Sequence, residues 1–115
     1  MEIKRHGVGA RLSQAVEYGD LVFIAGQVAD DPKLDVKGQT QQILAKIDKL
    51  LAQCGTNKSK LLWGQLWVTD PRSFPFANEA WDAWVEKGQT PVRAGLCNAL
   101  ASPDYKVEIM VTAGK

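Results

Sequence analysis

Apolar residues recur along this chain with two periods, and the switches between them mark its elements. The run Leu21-Val22-Phe23-Ile24-Ala25, closed by Gly26-Gln27, has no polar alternation and reads as a strand buried on both faces. A shorter strand over Leu12 to Tyr18, with Gly19-Asp20 as the turn, forms a hairpin with it. Beyond the polar loop Asp30-Asp31-Pro32-Lys33, the residues Ile43, Leu44, Ile47, Leu50, Leu51 and Cys54 fall at offsets of 0, 1, 4, 7, 8 and 11. That is the stripe of an amphipathic helix, and Gly55 stands where a left-handed C-cap is wanted. Cys54, on the stripe, reads as a small buried hydrophobe.

Leu61 to Thr69 alternates as a second core strand. Leu62, Leu66 and Val68 share one face with Gly64, and Trp63, Gln65, Trp67 and Thr69 share the other. Two tryptophans opposite the leucines imply that this second face is covered as well, and in so small a domain the cover must come from another subunit. Ser73, with Pro75 just inside, starts a second helix. Ala77, Ala80, Trp81 and Trp84 form its stripe, with both tryptophans as core anchors, and Gly88 ends it. Pro91 opens a third core strand over Val92 to Leu100, in which Arg93, Gly95, Cys97 and Ala99 point one way and Val92, Ala94, Leu96 and Asn98 the other. After the turn Ser102-Pro103-Asp104, Val107, Ile109, Val111 and Ala113 alternate with Lys106, Glu108, Met110 and Thr112, a last strand with one face on the core.

The order β-β-α-β-α-β-β makes residues 1–115 a single α+β domain, two helices on one face of a mixed sheet. Composition narrows the function. With 45% hydrophobic and 23% charged residues the chain is globular, and 14 basic against 13 acidic residues leave a formal charge of +1, too little for nonspecific nucleic-acid binding. No apolar run approaches the roughly 20 residues that cross a bilayer, and no apolar segment follows the polar start, so no membrane association and a reducing cytoplasm are expected. Cys54 and Cys97 are then thiols, and with one histidine and no Cys-x-x-Cys pair no tight metal centre is expected.

No phosphate loop, nucleophile elbow or triad is present. The residues that stand out are charges inside strands. Arg93, in Pro91-Val92-Arg93-Ala94-Gly95, has small neighbours on its face and an open approach for its planar fork, which suits bidentate capture of a carboxylate. Glu108 sits in Lys106-Val107-Glu108-Ile109. From spacing alone, each reads equally as a solvated edge-strand charge. If the last two strands formed a simple hairpin, Glu108 would lie opposite Ala99, roughly 20 Å from Arg93 at about 3.3 Å per residue. A joint site would then need a second subunit.

Gly26-Gln27 after a buried strand, Phe74-x-x-x-Asn78-x-x-Trp81, Pro91-Val92-Arg93 and Lys106-Val107-Glu108-Ile109 together resemble the YjgF family, also called Rid or endoribonuclease L-PSP, over nearly the whole chain. Asn57-Lys58-Ser59 and Asn78-Glu79-Ala80-Trp81-Asp82-Ala83-Trp84-Val85 are most similar to its YoaB-like branch. The resemblance implies a chorismate-mutase-like fold with a mixed six-stranded sheet, the last strand inserted between the first two core strands. It implies a homotrimer around a central barrel with a cleft between each pair of subunits, and no cofactor. By the same resemblance Arg93 clamps a substrate carboxylate, Glu108 positions a water, and Asn78, Gly26 and the backbone N–H of Gly95 line the cleft.

Three positions depart from the archetype: Leu12 replaces a cleft tyrosine, Ala25 a serine and Gly95 a cysteine. The resemblance thus implies hydrolysis of reactive 2-imino acids to 2-oxo acids and ammonia, with small 2-imino or 2-oxo acids as ligands. The loss of two hydroxyls keeps a non-catalytic 2-oxo-acid-binding regulator as the alternative. An endoribonuclease fits the near-neutral charge poorly.

Overall fold

The computed structural model describes residues 1–115. Six strands form one sheet: β1 (Ile3–His6), β2 (Ala15–Tyr18), β3 (Leu21–Gln27), β4 (Leu61–Val68), β5 (Val92–Cys97) and β6 (Val107–Gly114), with α1 (Val36–Gln53) and α2 (Phe74–Trp84) between them. Their spatial order is β1-β2-β3-β6-β4-β5. Every neighbouring pair is antiparallel except β4 and β5, which run parallel. The last strand lies between β3 and β4, so the hairpin of β5 with β6 does not form. The chain measures 42 × 37 × 20 Å. Its shortest dimension is one sheet plus one helix layer at about 10 Å each.

The core lies between these layers. Val22 and Ile24 of β3, Leu66 and Val68 of β4 and the alternating Val107, Ile109, Val111 and Ala113 of β6 pack against Ile43, Leu44, Ile47 and Leu51 of α1 and Ala77 and Trp81 of α2. Cys54 is buried with them. α1 begins about two turns before its apolar stripe, where the Asp35 side chain caps the N–H of Gly38 at 2.8 Å. It ends in a Schellman turn: Thr56 N–H donates to Leu51 O and Gly55 N–H to Ala52 O, with Gly55 at φ +74°.

Several boundaries shift, for local reasons. β1 is an edge strand whose charged residues give no alternation to read, and His6 is its last residue. β2 starts at Ala15, leaving Leu12 in the loop before it. A bulge between Leu61 and Trp63 turns Leu61, not Leu62, into the core. β3 is buried on one face only within the chain, with Leu21 38% and Phe23 40% exposed on the other. Ser73 makes no side-chain cap, because a 3-10 turn over Pro71–Ser73, capped by Asp70, already leads into α2. That helix stops at Trp84, ahead of Gly88.

Candidate functional site

α2 and β5 build a cationic corner at the sheet edge. Phe74, Asn78 and Trp81 follow one another at i, i+4 and i+7, so one face of the helix presents all three toward β5. Arg93 meets two of them. Its Nη2 donates to Asn78 Oδ1 at 2.8 Å, and its guanidinium carbon lies 5.2 Å from the Trp81 ring centroid. Asn78 takes one of five guanidinium donors, which fixes the fork and leaves the rest of its donors for an anion. Gly95, two residues on and on the same face, lies beneath the third: a Cβ there would stand 2.9 Å from Phe74 Cε1. Only glycine admits the ring so close. All six residues of β5 are exposed, so this corner is open to ligand.

Glu108 stands in a different setting. It is half-buried in the middle of the sheet, beside the backbone of Gly26, where a Cβ would come within 2.2 Å of its Oε2. The register shift between Ile24 and Gln27 brings the two strands into this close approach. Its carboxyl pKa is raised by burial alone, with no charge or hydrogen bond to hold the anion.

The register separates these two groups. Arg93 pairs with Gly64, whose added Cβ would meet Trp81 at 3.3 Å, so Arg93 faces the helices. Glu108 pairs with Trp67, and Trp67 with Leu96, so Glu108 faces the other side. Within one chain Arg93, Asn78 and Gly95 come together, Glu108 and Gly26 come together, and the two groups lie on opposite faces of the sheet. The Glu108 face also carries Phe23, Trp63, Val92 and Leu96, none of them buried.

A third polar cluster has no signature in the sequence. Glu17 of β2, 7% exposed, hydrogen-bonds His6 Nε2 through Oε2 at 2.5 Å and the Lys115 ammonium through Oε1. The two partners hold its pKa down at about 2, Lys115 contributing most. Cys54 adjoins the cluster, its thiol pKa raised mainly by burial. Four residues drawn from positions 6, 17, 54 and 115 share no spacing, and only the pairing of β1 with β2 brings the first two together. Cys97 is exposed on β5.

The family model for Endoribonuclease L-PSP matches residues 3–115. A RutC family protein of Haemophilus ducreyi is 40% identical over 111 residues, covering 96% of this chain and 95% of its own. The RutC family protein YoaB of Escherichia coli is 38% identical over 113 residues and covers 98% of both. The crystal structure of NMB1025, a YjgF family member from Neisseria meningitidis, superposes with a TM-score of 0.97 at 38% identity, over 100% of this chain and 96% of that one.

Proposed function

The chain belongs to the endoribonuclease L-PSP family, with RutC and YjgF proteins as its kin, and from that premise we propose that it is a cofactor-independent deaminase. It hydrolyses small reactive 2-imino acids to 2-oxo acids and ammonia in clefts between the subunits of a cytoplasmic homotrimer. The observation that carries this reading is the Arg93 fork, oriented by Asn78 and Trp81 on an open sheet edge. A planar guanidinium held in this way suits the carboxylate common to 2-imino and 2-oxo acids.

The chemistry asks little more. The imine carbon is already electrophilic, so fixing the carboxylate on Arg93 sets its approach to a water. As the new C–O bond forms, Glu108 takes a proton from that water and passes it to the imine nitrogen. It then takes the hydroxyl proton of the resulting carbinolamine and delivers it to the amino nitrogen as the C–N bond breaks and the C=O bond forms, so both protons of the water leave on ammonia. A carboxyl raised toward neutrality by burial suits both transfers. Because Arg93 and Glu108 lie on opposite sheet faces, the complete site takes Arg93, Asn78 and Gly95 from one subunit and Glu108 and Gly26 from its neighbour. The uncovered face bearing Trp63 and Phe23 supports subunits packing there. A net charge of +1 argues against RNA as the substrate.

A second reading, a 2-oxo-acid-binding regulator without turnover, draws on Leu12, 51% exposed, and Ala25, where hydroxyls that would orient water are missing. One experiment separates them: titration of a 2-oxo acid by calorimetry, with ammonia release followed from freshly generated iminopropanoate. Binding with a rate above the buffer reaction supports the deaminase, and binding without one leaves the regulator. Arg93→Ala loses binding by about 2–5 kcal/mol and Arg93→Lys recovers little of it, since an ammonium lacks the fork. An Arg93→Ala protein that binds as tightly as the parent refutes the clamp.

A further inference from the structure

We infer that His6, Glu17 and Cys54 form a binding site for a zinc-class divalent cation, on the β1–β2 side of the sheet, at the opposite end from Arg93. The imidazole, carboxylate and thiol come from β1, β2 and the C-cap of α1, and their donor atoms all lie within 4.8 Å of one another. In a tetrahedral zinc site the same three donor types stand about 3.3–3.6 Å apart, given metal–ligand distances of about 2.0–2.3 Å. The cluster therefore needs adjustments of an ångström or so. The hydrogen bond between His6 and Glu17, at 2.5 Å, opens to admit the metal, and the side chains close on it from three elements.

The donor set selects the metal class. One nitrogen, one sulfur and one oxygen suit zinc or cobalt, whereas magnesium and calcium favour all-oxygen shells. Charge selects it too: carboxylate and thiolate together neutralise a divalent cation, and the thiol proton departs to solvent as the metal–sulfur bond forms. The pocket is nearly closed, with Glu17 7% and Cys54 4% exposed, and His6 is its most open ligand. Water or a solute fills the fourth position. Lys115 opposes the metal, because its ammonium already sits on Glu17 Oε1. The chain therefore holds a choice at this carboxylate between an internal ammonium and an external cation. The count of one histidine and the lack of a Cys-x-x-Cys pair argue against a metal centre, but ligands gathered by strand pairing and by packing of a helix end leave no motif in the sequence.

Cobalt(II) titration of the full chain carrying Cys97→Ala, which removes the exposed thiol, tests the site. The expected result is one cobalt per chain with a thiolate-to-cobalt charge-transfer band and the intense visible bands of tetrahedral cobalt. Cys54→Ser in the same background abolishes the charge-transfer band, and His6→Ala weakens binding at least about ten-fold. Lys115→Met tightens it several-fold, the opposite of what loss of a merely structural ion pair would do. Far-ultraviolet circular dichroism confirms that each variant is folded at the titration temperature. Absence of the band in the Cys97→Ala protein at millimolar cobalt, or its persistence after Cys54→Ser, overturns the site. Weaker binding by Lys115→Met overturns the exchange at Glu17.

Discussion

Glu17 and Glu108 belong to strands of one sheet, and their surroundings drive them in opposite directions. Glu17, the less exposed of the two, is met by His6 and Lys115, and its pKa falls to about 2. Glu108 has no such partner beside Gly26, and burial pushes its pKa up. Solvent exposure alone does not account for the difference. What separates them is whether the fold supplies a partner for the charge. A carboxylate with both oxygens engaged ties elements together. One held half-desolvated and unpaired is kept in the state from which it can exchange a proton.

Glu108→Gln cuts this contrast most sharply. The amide still hydrogen-bonds a water but takes no proton from it, so imine hydrolysis should fall about 10²–10⁴-fold while 2-oxo-acid affinity stays within roughly tenfold. Stability should hold or rise slightly. Burial raises the folded pKa of Glu108, so its ionised form costs stability above that pKa and nothing once pH falls below the unfolded value. Any advantage of the amide variant in thermal melts should therefore be present at neutral pH and vanish in acid. By the same shift, the acid limb of the parent's rate profile should lie above the ordinary carboxyl value of 4.5. A limb at or below it would mean that Glu108 is not the titrating base.

Gly26→Ala should give a smaller loss of the same kind. Its Cβ takes the space of the Glu108 carboxylate, so turnover should drop by roughly tenfold or more while the Arg93 corner, on the other face, keeps its affinity. A fall in affinity equal to the fall in turnover would show that the two groups are not independent. Glu17→Gln should have the smallest effect on chemistry and the clearest on folding. It leaves His6 and Lys115 without an anion, and the melting temperature should drop by several degrees while hydrolysis below the transition keeps the parent rate. A Glu17→Gln protein as stable as the parent would erase the structural half of the contrast.

The contrast was only half legible in the sequence. Alternation in β6 placed Glu108 opposite a core face, and the α1 stripe and its Gly55 stop emerged from periodicity, because burial against one layer leaves that imprint. The motif Phe74-x-x-x-Asn78-x-x-Trp81 carried the helix face that meets Arg93. Strand order left no such trace. That β6 lies between β3 and β4 is a long-range pairing, and only the register through β4 shows that Arg93 and Glu108 face opposite ways. Glu17 carries no sequence signal for the same reason: its partners sit at positions 6 and 115, joined by the fold and not by spacing. The bulge at Leu61 likewise breaks the period-two rule at one residue and so changes which leucine is buried.

The central claim, that Arg93 and Glu108 act together across a subunit boundary, is tested most directly by mixing two inactive proteins. Arg93→Ala and Glu108→Gln chains are unfolded together in equal amounts and refolded, and mixed oligomers are verified by native mass spectrometry. A cleft works when the subunit supplying Arg93 and the neighbour supplying Glu108 are both intact there. With random assembly that holds for about one cleft in four, so imine hydrolysis should return to about a quarter of the parent rate. Verified mixed oligomers with no more activity than either variant alone would contradict the account and place both residues' work within one chain.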